Sequence, residues 1–335
     1  MENKCTIDKI QNLYPSPINE RDWQFSKIIR ASDNLPSKCS VDYPKELKVL
    51  NQGKYGFCWA FVGAAIKTIQ EYHETGRVME FSPLAIAKET KKYDGLKQEG
   101  STYIDLFKTL YGYGSIKEHF YPYDLYNGNL VFPEIKDEDK ITKYKIKNYA
   151  KLRTLDDLKQ AINLNKPVAL GLLVGNNFKS LRNNSGKFIK LPFGESLSGH
   201  AILALEYDDN LEWNGYKGFI KILNSWDKTW GDNGFAWIPY DYITYKSKDI
   251  GFSFFIDMFT SVDLENDPVN ETVLEMYVGN TKAKYNGKEI NLVTEPIIYN
   301  NRTMVAIRDI GELFGFEVLW DGNKRKVTFI KEEKK

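Results

Sequence analysis

The sequence predicts an α+β fold in which a helical half precedes a strand half, with a small β-rich α+β unit appended at the C-terminus. Three observations carry this. From residue 58 to about 112, apolar residues recur at helical spacing between glycine stops. Beyond about residue 140 the apolar runs shorten and read as strands. From Asp263 a run rich in Asp, Asn and Pro separates a third stretch of short strands around Asn-Gly and Asp-Gly turns.

In order, residues 1–33 form a polar N-terminal extension with Pro15, Pro17 and a helical pattern over 20–30. After Cys58, apolar residues at 61, 62, 65, 66 and 69 mark one face of a helix that Gly76 closes. Phe81-Ser82-Pro83 opens a second helix. Residues 95–100 form a polar loop, and Gly100-Ser101-Thr102-Tyr103 leads into a third helix with apolar positions 104, 106, 107 and 110. Residues 143–150 alternate weakly, 155–164 form a short amphipathic helix, and 167–172 form a buried-type strand. Residues 200–207 and 218–223 read as strands, with Asp208, Asp209, Asn210, Asn214 and Gly215 as turn formers between them. Antiparallel pairing of those strands would set His200 near Asn224. The linker is 263–272, and the last domain, 273–332, holds strands at 273–278, 283–285, 288–292, 316–320 and 325–330 with a short helix within 304–315.

The chemistry concentrates in Gln52-Gly53-Lys54-Tyr55-Gly56-Phe57-Cys58-Trp59-Ala60-Phe61. Cys58 begins a helix, whose positive end favours thiolate over thiol. Gln52 carries an amide that can donate to an oxyanion beside the Cys58 N–H. With Ser198-Gly199-His200-Ala201-Ile202 and Asn224-Ser225-Trp226 continuing to Trp230-Gly231-Asp232-Asn233-Gly234, this segment resembles the papain-like cysteine peptidases. The resemblance spans roughly residues 34–260. The lead-in Asn19–Phe25 and Leu35-Pro36 is similar to a bacterial and archaeal branch that lacks a long helical pro-region.

That resemblance implies a papain-like two-lobed fold over 34–262, a helical lobe facing a β-barrel-like lobe across a cleft. It implies Cys58 as nucleophile, His200 as general base, Asn224 as the group orienting the imidazole, and Gln52 as oxyanion donor. Cys58 and His200 would rest as a thiolate–imidazolium pair. Gly100 and Ser101 match the family's substrate-pairing segment, Gly199 would leave one cleft wall open, and Trp226 would shelter the Asn224–His200 bond. His73 and His119 lack this context and read as solvated residues. Tyr55 stands where secreted relatives carry a bridging cysteine, and Phe57 replaces a usually small residue, which would narrow the cleft. No second histidine motif of a dipeptidyl exopeptidase is present, so endopeptidase activity is expected. The run Asn286-Gly287-Lys288-Glu289 through Trp320-Asp321 resembles the copper amine oxidase N-terminal-like repeat of bacterial surface proteins, which implies an anchoring or binding module. Residues 263–335 contain neither His nor Cys, so a copper site lacks its usual donors.

Charge sets further bounds. Forty-six basic and 45 acidic residues leave a net charge of +1, which argues for neither nucleic acid nor an acidic membrane surface as partner. No apolar run reaches the ~18 residues of a membrane span, and Met1-Glu2-Asn3-Lys4 lacks a secretory apolar stretch. The C-terminal module nonetheless points to secretion or the cell surface. No cofactor or metal is expected, and the expected partners are a peptide or protein substrate and a cell-surface or cell-wall ligand. Cys5 and Cys39 are compatible with one disulfide or with two free thiols. Three functions stay open: endopeptidase, cell-wall cross-bridge hydrolase or acyltransferase with the same triad, and surface-binding protein with an inert peptidase-like half.

Overall fold

Cys58–Thr75 forms α1, the helix on which the larger part of the chain is built. A computed structural model describes residues 6–7, 12–17, 25, 32, 34–126, 129–131, 134, 141–182, 186–247, 252–262, 274–285, 288–300, 302–314 and 316–330. Gly76 ends α1 in the left-handed conformation (φ 67°) and donates its N–H to Tyr72 O, as the sequence predicts. One expectation is corrected. Rather than one buried face, α1 buries Lys67, Thr68, Gln70 and Glu71 as well. Helices cover one side of it and the sheet the other, so it is enclosed. The buried Lys67 ammonium is compensated by Glu71 Oε1 (3.0 Å), Gln70 Oε1 (2.9 Å) and Lys145 O (3.1 Å).

Two helices pack on α1. Pro83–Thr90 (α2) starts with Ser82 accepting the Ala85 N–H at 2.9 Å. Tyr103–Gly112 (α3) starts with Thr102 accepting the Asp105 N–H at 3.2 Å. Leu155–Asn163 (α4) opens on a capping box of Thr154 and Asp157. Two single turns, Asn176–Lys179 (α5) and Asp241–Thr244 (α6), are further α-helical elements among the described residues. Of the helical pattern at 20–30, only Phe25 lies within the described residues, where it is helical and buried.

The strands of this part are β1 (Thr6–Ile7), β2 (Leu13–Tyr14), β3 (Lys38–Ser40), β4 (Ser101–Thr102), β5 (Asp124–Tyr126), β6 (Asn129–Val131), β7 (Tyr149–Leu152), β8 (Val168–Val174), β9 (Ser196–Trp213), β10 (Tyr216–Leu223), β11 (Phe235–Pro239) and β12 (Phe255–Ser261). The main sheet runs β11-β10-β9-β8-β12-β7, with β1 and β3 also pairing β9. All seven residues of β8 are buried. The β9–β10 hairpin is longer than expected. It turns only at Asn214-Gly215, both at positive φ (51° and 81°). Asp208 and Asp209 continue β9 instead of turning, because their carboxylates are claimed by neighbours. Lys38 meets Asp208 at 3.3 Å, and Lys159 and Tyr240 meet Asp209 at 2.9 and 2.6 Å.

The chain divides into two units, Met1–Pro268 and Val269–Lys335. The second contains β13 (Leu274–Met276), β14 (Lys282–Tyr285) and β15 (Lys288–Asn291) in one antiparallel sheet, then β16 (Ile297–Tyr299) with β17 (Arg302–Met304), α7 (Ile307–Leu313), and β18 (Glu317–Asp321) with β19 (Lys326–Ile330). The β16–β17 hairpin was not anticipated, because its residues show no alternation of apolar and polar. The Asn286-Gly287 turn and the linker 263–272 lie outside the described residues.

The Lys67–Glu71 pair gives a stability test. Glu71→Ala leaves a buried ammonium uncompensated and should cost about 3–5 kcal/mol in urea unfolding, while Lys67→Met with Glu71→Leu should recover most of that loss.

Candidate active site

Cys58 is the first residue of α1, follows Phe57 at the cap position, and is fully buried. Its Sγ accepts the Ala201 N–H at 3.4 Å, so the thiol rests on β9 beside His200. The antiparallel β9–β10 pairing returns the chain to the start of β9, and Asn224 follows the last residue of β10. There His200 Nε2 and Asn224 Oδ1 are 2.8 Å apart. The Ser225 N–H also points at Asn224 Oδ1, at 2.8 Å. A backbone N–H needs an acceptor, which identifies that atom as the oxygen and makes Nε2 the protonated ring nitrogen. Nδ1 is then the nitrogen free to take a proton. Trp226 lies over the imidazole with ring centroids 4.8 Å apart, and Phe178 approaches it edge-on at 6.3 Å.

Gln52 is clamped between both halves of the site. Its backbone N–H donates to Ser225 O (2.9 Å), its Oε1 accepts from Ser225 Oγ (2.6 Å), and its Nε2 donates to Tyr55 O (2.8 Å). A primary amide has two protons, so one donor remains for an oxyanion. Gly231 explains part of the Trp-Gly-x-x-Gly run: it has φ 62°, and a Cβ there would lie 2.2 Å from Phe235 O. Trp230 is wholly buried and donates Nε1–H to Phe178 O at 2.7 Å. Phe57 does not line an open cleft; it is buried, stacked on Tyr55 and edge-on to Trp59. His119 is exposed as expected, whereas His73 is half-buried and bonded to Asp42 O.

Two contributors escaped the sequence reading. Glu99 accepts the Gly56 N–H at 2.6 Å and, through its backbone oxygen, the Trp59 Nε1–H at 3.1 Å. Nothing in a polar loop singles out such a glutamate. The other is the chain's own N-terminal segment. Leu13 and Tyr14 run parallel to Ser101 and Thr102. Asn12 donates to Gly199 O at 3.3 Å and accepts from Ser101 N at 3.4 Å. The wall that Gly199 leaves open is filled: a Cβ there would lie 2.1 Å from Leu13 O. The Leu13 side chain is fully buried against Gly171 and is anchored further on by Ser16, which donates its N–H to Asp257 Oδ2 at 3.2 Å and accepts the Ile104 N–H at 3.2 Å.

Burial sets the electrostatics of the site. Burial pushes the Cys58 thiol up to about 12, against the backbone N–H groups of Ala201, Trp59 and Cys58. Burial likewise pulls the His200 imidazole down to about 4, against its bond to Asn224. Both favour neutral forms. The thiolate–imidazolium pair expected from the resemblance is the charged alternative to these neutral forms, and burial works against it in the covered site.

Residues 37–249 match the model of the papain family cysteine proteases, and residues 262–329 match that of the copper amine oxidase N-terminal domain. The chain belongs to the papain family of cysteine proteases, a family of hydrolases. It is 27% identical over 220 residues to a peptidase C1-like protein of Acanthamoeba polyphaga mimivirus, covering 61% of this chain and 68% of that one. It is 29% identical over 190 residues to the oryzain gamma chain of Oryza sativa subsp. japonica, covering 56% of this chain and only 50% of that one. Among solved structures, xylellain, a cysteine protease from Xylella fastidiosa, has a TM-score of 0.62 at 24% identity over 77% of this chain and 100% of its own, and so shares the fold. The C-terminal unit contains no His or Cys, so its residues do not fit a copper ion.

The His200 shift has a pH consequence. With the folded imidazole near 4 and the ordinary value at 6.5, the unfolded chain takes up the proton first as pH falls. Stability should therefore drop between pH 6.5 and 4, by up to roughly 3 kcal/mol, and urea unfolding of His200→Gln should show a flatter acid slope.

Proposed function

We propose that the protein is a cysteine endopeptidase that cleaves peptide or protein substrates through Cys58, His200 and Asn224, with Gln52 in the oxyanion hole. One observation carries the reading. His200 is oriented by Asn224 at 2.8 Å while its neighbour Ala201 holds the Cys58 sulfur at 3.4 Å. Once the cleft is open to water, Nδ1 takes the thiol proton and the thiolate attacks the scissile carbonyl. The Gln52 amide and the Cys58 N–H receive the oxyanion. His200 protonates the leaving amine, then draws a proton from water to release the acyl group. Ser101 and Gly199, with Gly100 behind them, bind the substrate backbone, and Trp226 shields the Asn224–His200 bond.

Those substrate groups are the ones Asn12 occupies, so turnover requires that segment, a strap running from Asn12 to Ser16, to leave. In this reading 1–33 is an extension that regulates access, 34–262 the peptidase domain, 263–272 a linker, and 273–332 an accessory domain that anchors or binds at a cell surface or cell wall. The second reading, a cell-wall cross-bridge hydrolase or acyltransferase, uses the same triad and draws its support from the accessory domain.

Cys58→Ala should lower peptide hydrolysis at least ~1,000-fold and Gln52→Ala ~100-fold, assayed on a peptide library beside purified cell-wall fragments. Cleavage confined to the wall fragments would favour the second reading, and full activity of Cys58→Ala would falsify both. Leu13→Asp, which places a charge in the strap's apolar seat, should speed iodoacetamide alkylation of Cys58, read by peptide mass mapping.

A further inference from the structure

Strand β4 is only two residues long, too short for sheet pairing alone to hold its shape. Its geometry is set from behind, by residues outside the triad. The Asp94 side chain is fully buried and accepts three bonds: from Ser101 Oγ at 2.9 Å, from Lys91 Nζ at 2.8 Å and from the Leu96 N–H at 3.0 Å. Lys91 Nζ also donates to Gly100 O at 3.1 Å. Gly100 O and the Ser101 N–H belong to one planar trans peptide, so they point in opposite directions. When Lys91 holds the oxygen on the inner side, the N–H is held toward the cleft, where it meets Asn12 O at 3.4 Å.

We propose that Lys91 and Asp94 are positioning residues that fix the Gly100–Ser101 peptide plane, and with it the edge on which any peptide in this cleft must pair. The proposal rests on reading Ser101 as a substrate-binding residue. Neither side chain touches the reacting groups. Their loss should weaken binding of the strap and of the substrate without slowing the chemistry at Cys58.

Because strap and substrate share the Ser101 N–H, the two effects are read separately. In the full chain, Lys91→Met and Asp94→Asn should each speed iodoacetamide alkylation of Cys58 roughly tenfold, about the loss of one well-placed hydrogen bond. In the Leu13→Asp background, Lys91→Met should raise KM for a cleaved peptide roughly tenfold with kcat within about twofold, at a temperature where melting curves show both chains folded. Alkylation at the wild-type rate, or an unchanged KM with a lowered kcat, overturns the proposal. Alkylation needs no substrate, so it reads the edge even if no peptide is cut. Failure of the peptidase reading shows separately, as a Cys58→Ala chain that stays active.

Discussion

The site depends on one piece of sheet pairing. The β9–β10 hairpin brings Asn224 to His200, and the same β9 residues carry the backbone N–H on which Cys58 rests. Cys58 arrives from the other half of the fold, on the first turn of the enclosed helix α1. The pairing is specific because slipping an antiparallel strand by one residue sends every side chain to the opposite face. With Ala201–Tyr207 buried on both faces of β9 and Phe219, Ile220 and Ile222 buried on β10, that slip would exchange the side chains packed on the two sides and mismatch the core on each.

The second constraint is water. The strap, Asn12 to Ser16, seats Leu13 against Gly171 and Gly199, in a site where Cys58 and His200 are both buried. Burial pushes the Cys58 thiol up against the backbone N–H groups it meets, and pulls the His200 imidazole down against its bond to Asn224. In the proposed function, covering and latency are linked: a strap on the substrate-pairing residues keeps substrate out of a site already poor in solvent. The residues that receive the strap, Ser101 and Gly199, face each other from the helical half and from β9.

Much of this was legible in the sequence because its causes are local. Helical spacing after Cys58, the Gly76 stop, the Ser82-Pro83 start and the Asn-Gly turn at 214–215 are each written in a few adjacent residues. The His200–Asn224 meeting was legible because two strands joined by a turn leave few other arrangements. What stayed hidden depends on distant partners. Asp208 and Asp209 read as turn formers until Lys38, Lys159 and Tyr240 are seen to take their carboxylates. Lys67 and Glu71 fall outside the apolar stripe of the helix, and only their distant neighbours, the Lys145 carbonyl and the Phe81 ring, show that they are enclosed. The docking of Leu13 has no local signal, since a leucine in a polar segment does not say which groove it fills.

In the proposed mechanism the sulfur of Cys58 attacks a carbonyl under control of His200. That attack is tested most directly by acid-quenching the protein during turnover of an activated peptide ester and weighing its fragments. An acyl mass on the fragment holding Cys58 that appears and decays with turnover is the expected result. Turnover with no such adduct, or with the acyl group on the fragment holding Cys39, would contradict it.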